Sequence, residues 1–131
     1  MPCLTLAPPI EVLLVDDQRA ILAGVRALIE SEGEAMRVSG CATTGGQALD
    51  LARSLNPDVI VLDVDLGDED GLALIPQLNR ACSASIIVFT CHCDTATLQR
   101  ALALGAARLV TKTAPGEDLL AAIVEAAEAS A

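Results

Sequence analysis

Asp16 and Asp17 follow the apolar run EVLLV, Asp63 follows VIVL with Asp65 two residues on, Thr90 follows IIVF, and Lys112 follows the run Arg108–Thr111. Three or four carboxylates gathered within ~4–6 Å would repel by several kcal/mol even at an effective dielectric of about 20, so such a set needs a cation. All-oxygen ligation with an open position suits Mg²⁺, which keeps some of its waters and accepts phosphate oxygens. A flanking ammonium and a flanking hydroxyl are what a phosphoryl group requires. Lys112 can neutralise charge on its oxygens and Thr90 can donate a hydrogen bond. One carboxylate is then left to act as the nucleophile.

Taken singly, these residues have ordinary readings. An Asp pair after an apolar run caps helices, a lone lysine faces solvent, and a threonine can cap a helix, although Asp94 suits that task better here. The set carries chemistry only if the chain brings its members to one edge.

The apolar runs supply that edge. Strands are expected at Glu11–Val15, Met36–Cys41, Val59–Leu62, Ile86–Phe89 and Arg108–Thr111, several of them apolar throughout, as in strands buried on both faces. Between them lie helical stripes. Ile21, Leu22, Val25, Leu28 and Ile29 form the clearest, and Leu49, Ala52 and Leu55 a weaker one. Leu72, Ile75 and Leu78 repeat the spacing, with Pro76 expected to bend or delay the helix. Leu98, Ala101 and Leu102 lie between a cap at Asp94 and a stop at Gly105. The last stripe, Leu119, Leu120, Ile123, Val124 and Ala127, sits behind Pro115, with Glu117 and Asp118 in its first turn. Strict alternation of five strands and five helices demands right-handed crossovers and a doubly wound α/β domain. Ligands of such sheets bind beyond the carboxyl ends of the strands, where all six residues stand.

Composition narrows the function. The 131 residues, 53% hydrophobic, suit one compact domain, and residues 1–9 read as an N-terminal extension to a unit spanning 10–131. With 18 acidic against 8 basic side chains the net charge is −10, which disfavours direct binding to nucleic acid or to an anionic membrane. Phe89, the one aromatic, allows no base-stacking platform. Pro8 and Pro9 break the apolar N-terminus, and no run approaches the roughly 18 residues of a bilayer span, so a soluble cytoplasmic protein is expected. Five cysteines without CxxC spacing suit reduced thiols.

In order and spacing, VLLVDDQ, VIVLDVDLGDEDG, IIVFT and LVTKTAP resemble the receiver domain of bacterial two-component response regulators over about residues 10–129. The resemblance implies a flavodoxin-like (βα)5 fold with a five-stranded parallel sheet in the order 2-1-3-4-5. It implies Asp63 as phosphoacceptor, Asp16 and Asp17 as the acidic pair holding Mg²⁺ with Asp63 and the backbone carbonyl of Asp65, Thr90 as switch hydroxyl, and Lys112 as the phosphoryl contact. It also implies a histidine kinase or phosphotransfer protein as donor and a homodimer through the face of the fourth helix, fifth strand and fifth helix. The only catalysis implied is the domain's own phosphoryl transfer and dephosphorylation. KTAPGEDL is most similar to receivers that carry a helix-turn-helix output domain and act in transcription.

Four positions depart from that family's usual pattern. Leu109 replaces an aromatic switch residue, Gly67 replaces a frequent proline, Cys91 is bulkier than usual after Thr90, and Asp65 adds a carboxylate that could orient an attacking water or merely face solvent. With Leu109 in place and Phe89 expected to be buried in its strand, the loop after Thr90 and the helix from Asp94 to Leu104 are expected to carry the switch. Two rival functions remain at this point. Asp63-Val64-Asp65 resembles the nucleophile and general acid of haloacid dehalogenase-type phosphatases, although those enzymes place a further acidic pair after the lysine. A receiver acting by contact alone, without phosphate, is the other. Cys91-His92-Cys93 lacks zinc spacing, and His92 is expected at the rim of the pocket. Residues 40–47, GCATTGGQ, lack the lysine of a phosphate loop and read as a strand-to-helix turn.

Overall fold

The computed structural model describes residues 8–92 and 94–129. Most of the expected extension, residues 1–7, and Cys93 therefore lie outside the described residues. Five strands, β1 (Ile10–Val15), β2 (Met36–Ala42), β3 (Val59–Leu62), β4 (Ser85–Thr90) and β5 (Arg108–Thr111), form one parallel sheet in the order β2-β1-β3-β4-β5. Five helices alternate with them: α1 (Arg19–Glu30), α2 (Gly45–Leu55), α3 (Ile75–Ala81), α4 (Thr95–Leu104) and α5 (Gly116–Ala129). The fold is the expected doubly wound, flavodoxin-like one.

Strand alternation divides the core into two layers. Leu13, Val15, Ile60, Leu62, Ile86 and Val88 pack toward α2, α3 and α4, meeting Ala48, Ala52, Ile75, Leu78 and Ala101. Val12, Leu14, Val59, Val61 and Ile87 pack toward α1 and α5, meeting Val25, Ile29, Leu119, Ala122 and Ile123. β3 is buried at all four positions, as a central parallel strand must be. Because all five strands run the same way, their ends share one edge, and that edge carries the polar residues.

The helix ends follow the sequence closely. The Asp94 carboxylate accepts from the N–H of Thr97, and Gly105 closes α4 in the left-handed region at φ 114°. Thr44 caps α2 by accepting from the N–H of Gln47, so residues 40–47 are indeed a strand-to-helix turn.

Two expectations need correction. The stripe Leu72, Ile75, Leu78 is not one helix: Gly71–Leu74 form a 3₁₀ turn before α3 starts at Ile75. Asp70 caps that turn through Leu72 N–H at 3.0 Å, and Pro76 falls in the first turn of α3, where its missing donor is not needed. Phe89 is half-buried rather than buried, because it lines an open groove with Ala20, Ile21, Gly24, Val25 and Leu28 of α1.

Between β3 and the 3₁₀ turn lies an element the sequence pattern did not announce, a short antiparallel hairpin pairing Asp65–Leu66 with Glu69–Asp70. Gly67 leads its two-residue turn at φ 63°, the conformation such a turn assigns to glycine. A proline, fixed near −65°, cannot adopt it, which accounts for the glycine at that position.

Candidate functional site

At the carboxyl edge of the sheet Lys112 is the centre. Its ammonium lies 2.7 Å from Asp16 Oδ2 and 3.0 Å from Asp63 Oδ2, and all three side chains are more than nine-tenths buried. The backbone holds them in place. Asp63 N–H donates to the Val15 carbonyl, and Lys112 N–H donates to the Thr90 carbonyl, so the ends of β1 and β3 are pinned to each other, as are those of β4 and β5.

Asp16, Asp17 and Asp63 each place a carboxylate oxygen within 4.8 Å of the other two. Asp16 Oδ1 also accepts from the N–H of Gln18 at 2.9 Å, and Asp17 Oδ2 accepts from the N–H of Gly67 at 2.9 Å. Asp17 is exposed and does not cap α1, whose N-cap Gln18 makes no side-chain cap bond. The capping reading of the acidic pair thus gives way to a cluster. The need for a cation is met in part by Lys112 itself, which neutralises one of the three charges. Three hard oxygen donors with a net excess of negative charge, one of them open to solvent, fit a hard divalent cation such as Mg²⁺.

Burial pushes the Asp63 carboxyl above its ordinary value, and the nearby Asp16 charge adds to that, against the opposing hydrogen bond from Lys112. Burial alone would lower the Lys112 ammonium, but its hydrogen bonds to Asp16 and Asp63 outweigh it and the pKa is raised. Lys112 therefore stays charged throughout the neutral range, and the charged form of Asp63 depends on it.

Thr90, fully buried at the end of β4, accepts a hydrogen bond at Oγ1 from the N–H of His92 at 3.1 Å. Asp65 stands apart from the carboxylate cluster, its Oδ2 lying 2.6 Å from His92 Nε2. One of its two carboxylate oxygens is thus engaged, while the side chain stays largely exposed. Leu109 is half-buried against the layer covered by α2, α3 and α4.

Gly71 is a site residue that the sequence reading missed. A Cβ built there would overlap the carbonyl oxygen of Asp63, so the 3₁₀ turn can pass behind the Asp63 backbone only because residue 71 has no side chain. Glu69 is another, since its Oε1 accepts from the N–H of Gly45 and fastens the hairpin to the start of α2. A glycine after an acidic run is the only trace of the first in the sequence, and the second leaves none.

Comparison with known proteins agrees with this geometry. The family profile described as response regulator receiver domain matches residues 12–124. The nitrate/nitrite response regulator protein NarL of Escherichia coli K12 is 36% identical over 120 residues, covering 91% of this chain and 55% of that protein. A two-component response regulator of the LuxR family from Aurantimonas superposes with a TM-score of 0.87 at 30% identity, over 92% of this chain and 86% of that one. A response regulator from Burkholderia pseudomallei, with a phosphorylated aspartic acid, a calcium ion and citrate, gives 0.80 at 30% identity, over 91% and 69%. The chain spans about half the length of the curated relatives it matches.

Proposed function

The chain belongs to the response regulator receiver domain family, and from that premise we propose that residues 10–131 form a unit that accepts a phosphoryl group on Asp63 and so switches the contacts of a partner or output domain. The observation that carries this reading is the buried Lys112 ammonium bridging Asp16 and Asp63, with Asp17 completing a three-carboxylate set.

An Asp63 oxygen attacks phosphorus, an O–P bond forms, and the bond to the leaving group breaks, so that a phosphohistidine donor recovers its imidazole and acetyl phosphate releases acetate. Lys112, which now neutralises Asp63, passes its charge to the phosphoryl oxygens. Asp16, Asp17, Asp63 and the backbone carbonyl of Asp65 would hold Mg²⁺, which supplies charge neutralisation for the incoming group. The Burkholderia relative, with its phosphorylated aspartic acid and a divalent ion, supports this assignment. The donor is a histidine kinase or a phosphotransfer protein, and Thr90 donates its hydroxyl to the product. The face of α4, β5 and α5, where Leu98 and Leu102 are 38% and 48% exposed, is offered to a second copy of the chain.

The test is intact mass after incubation with acetyl phosphate. One phosphate should add in the presence of Mg²⁺ and none when the metal is chelated; labelling indifferent to chelation would overturn the proposal.

Asp17→Asn isolates the metal. Its amide oxygen can still accept from Gly67 N–H, so the metal-free fold should melt no lower than the parent while the affinity for Mg²⁺ drops on the order of tenfold, as removing a charged ligand demands. A lower melting temperature without metal would assign Asp17 a structural task instead.

A further inference from the structure

The hairpin after Asp63 is fastened to the segment after Thr90 at two points. On its first strand Asp65 Oδ2 meets His92 Nε2 at 2.6 Å, and at the end of its second Asp70 Oδ2 accepts from Arg100 Nη2 at 2.6 Å. The partners are 27 and 30 residues apart in sequence, so only the tertiary fold joins them. Asp70 is held firmly, since Oδ1 accepts from Leu72 N–H and the Arg100 hydrogen bond keeps its carboxyl below the ordinary value. His92 is held twice, by its ring on Asp65 and by its N–H on Thr90 Oγ1. Among the described residues no hydrogen bond joins Thr90 to Asp63, and its hydroxyl oxygen is engaged with the loop.

Turning Thr90 toward a group on Asp63 carries Oγ1 away from the His92 N–H. The loop must then follow, which pulls on the His92 ring, or surrender the bond. α4 begins at Thr95 and is tied by Arg100 to the same hairpin, so its first two turns resist the same motion. Leu109 offers only a small rotamer change in compensation.

We infer that His92 and Arg100 are positioning residues that hold the loop after Thr90 and α4 against the Asp65–Asp70 hairpin in the unphosphorylated arrangement, and thereby set how readily Thr90 turns to the phosphoryl group. This rests on the reading of Asp63 as phosphoacceptor. A contact present in only one of two states shifts the equilibrium between them by its own free energy, and an exposed ion pair or hydrogen bond of this kind is worth about two- to fivefold.

Beryllofluoride, a phosphoryl mimic, is titrated in excess Mg²⁺ and followed by amide shifts. Arg100→Gln should bind it about two- to fivefold more tightly than the parent, and His92→Ala likewise. Combining them should multiply the gains, because the two pairs share no partner. Arg100→Lys, which keeps the charge, should stay near the parent. Asp70→Asn retains an oxygen for Leu72 N–H and should match Arg100→Gln, with no further gain when the two are combined. A purely structural role for Arg100 would lower the melting temperature and leave affinity unchanged or weaker, which would overturn the inference alone. If the parent fails to bind beryllofluoride, or Asp63→Asn binds it equally well, the phosphoacceptor reading falls and takes this inference with it.

Discussion

Asp63→Asn should reduce phosphate incorporation from acetyl phosphate to background while leaving the chain folded. Asp16 and Asp17 remain as carboxylates, but Lys112 and Gln18 occupy the first and the Gly67 N–H holds the second, so neither replaces the lost nucleophile. The same variant should be the more stable protein in the absence of metal at neutral pH. With its pKa raised in the fold, mainly by burial, ionised Asp63 binds its proton more tightly folded than unfolded and therefore costs stability wherever it is charged. That cost is complete above the raised pKa and disappears as the pH falls below the ordinary carboxylate value. The advantage of Asp63→Asn over the parent should accordingly be present at pH 7 and shrink on acidification through that interval. Chemical denaturation of both proteins across pH measures it. Labelling that persists in the variant would move the phosphoacceptor elsewhere, and a stability gain that grew on acidification would contradict the burial argument.

Lys112→Met should have the largest effect on stability. It leaves Asp16 and Asp63, each 4% exposed, facing one another without a counter-charge, and breaking a buried pair of this kind costs about 3–5 kcal/mol. The loss should be felt at neutral pH and relieved in two ways. Lowering the pH protonates one carboxylate, and adding Mg²⁺ to the three-carboxylate cluster replaces the missing positive charge. In the parent the raised Lys112 pKa contributes stability that is present below its ordinary value and lost only as the pH rises through the folded value, so mild acidification near neutrality should bring the parent no such relief. Melting curves with and without Mg²⁺ at two pH values distinguish these cases. A variant as stable as the parent in metal-free buffer at pH 7 would show that water reaches the pair and that Lys112 is not its principal counter-charge.

The positions of the five strands were legible in the sequence because central strands of a parallel sheet are buried on both faces and must be apolar throughout, as Val59–Leu62 is. Their boundaries shifted only at the ends, with β4 taking in Ser85 and Thr90. That Asp16, Asp17, Asp63, Thr90 and Lys112 stand at one edge followed from topology alone: strands that run the same way end at the same edge. Phe89 departs from its expected burial because burial of a strand residue depends on the helix lying over it, and α1 leaves an open groove beside the ring. The 3₁₀ turn was hidden because Leu72, Ile75 and Leu78 keep helical spacing whichever helix type they occupy.

The sequence by itself determined the fold class and the residue types at the site, since apolar patterning and strand direction are properties of local segments. Only the tertiary structure decided how those residues are paired. Lys112 joins Asp63 across 49 positions, His92 joins Asp65 across 27, and Arg100 joins Asp70 across 30. Each pairing depends on distances of about 3 Å between side chains on different elements. Spacing along a chain sets which edge a residue reaches, and the packing of the helices then selects the partner it meets there.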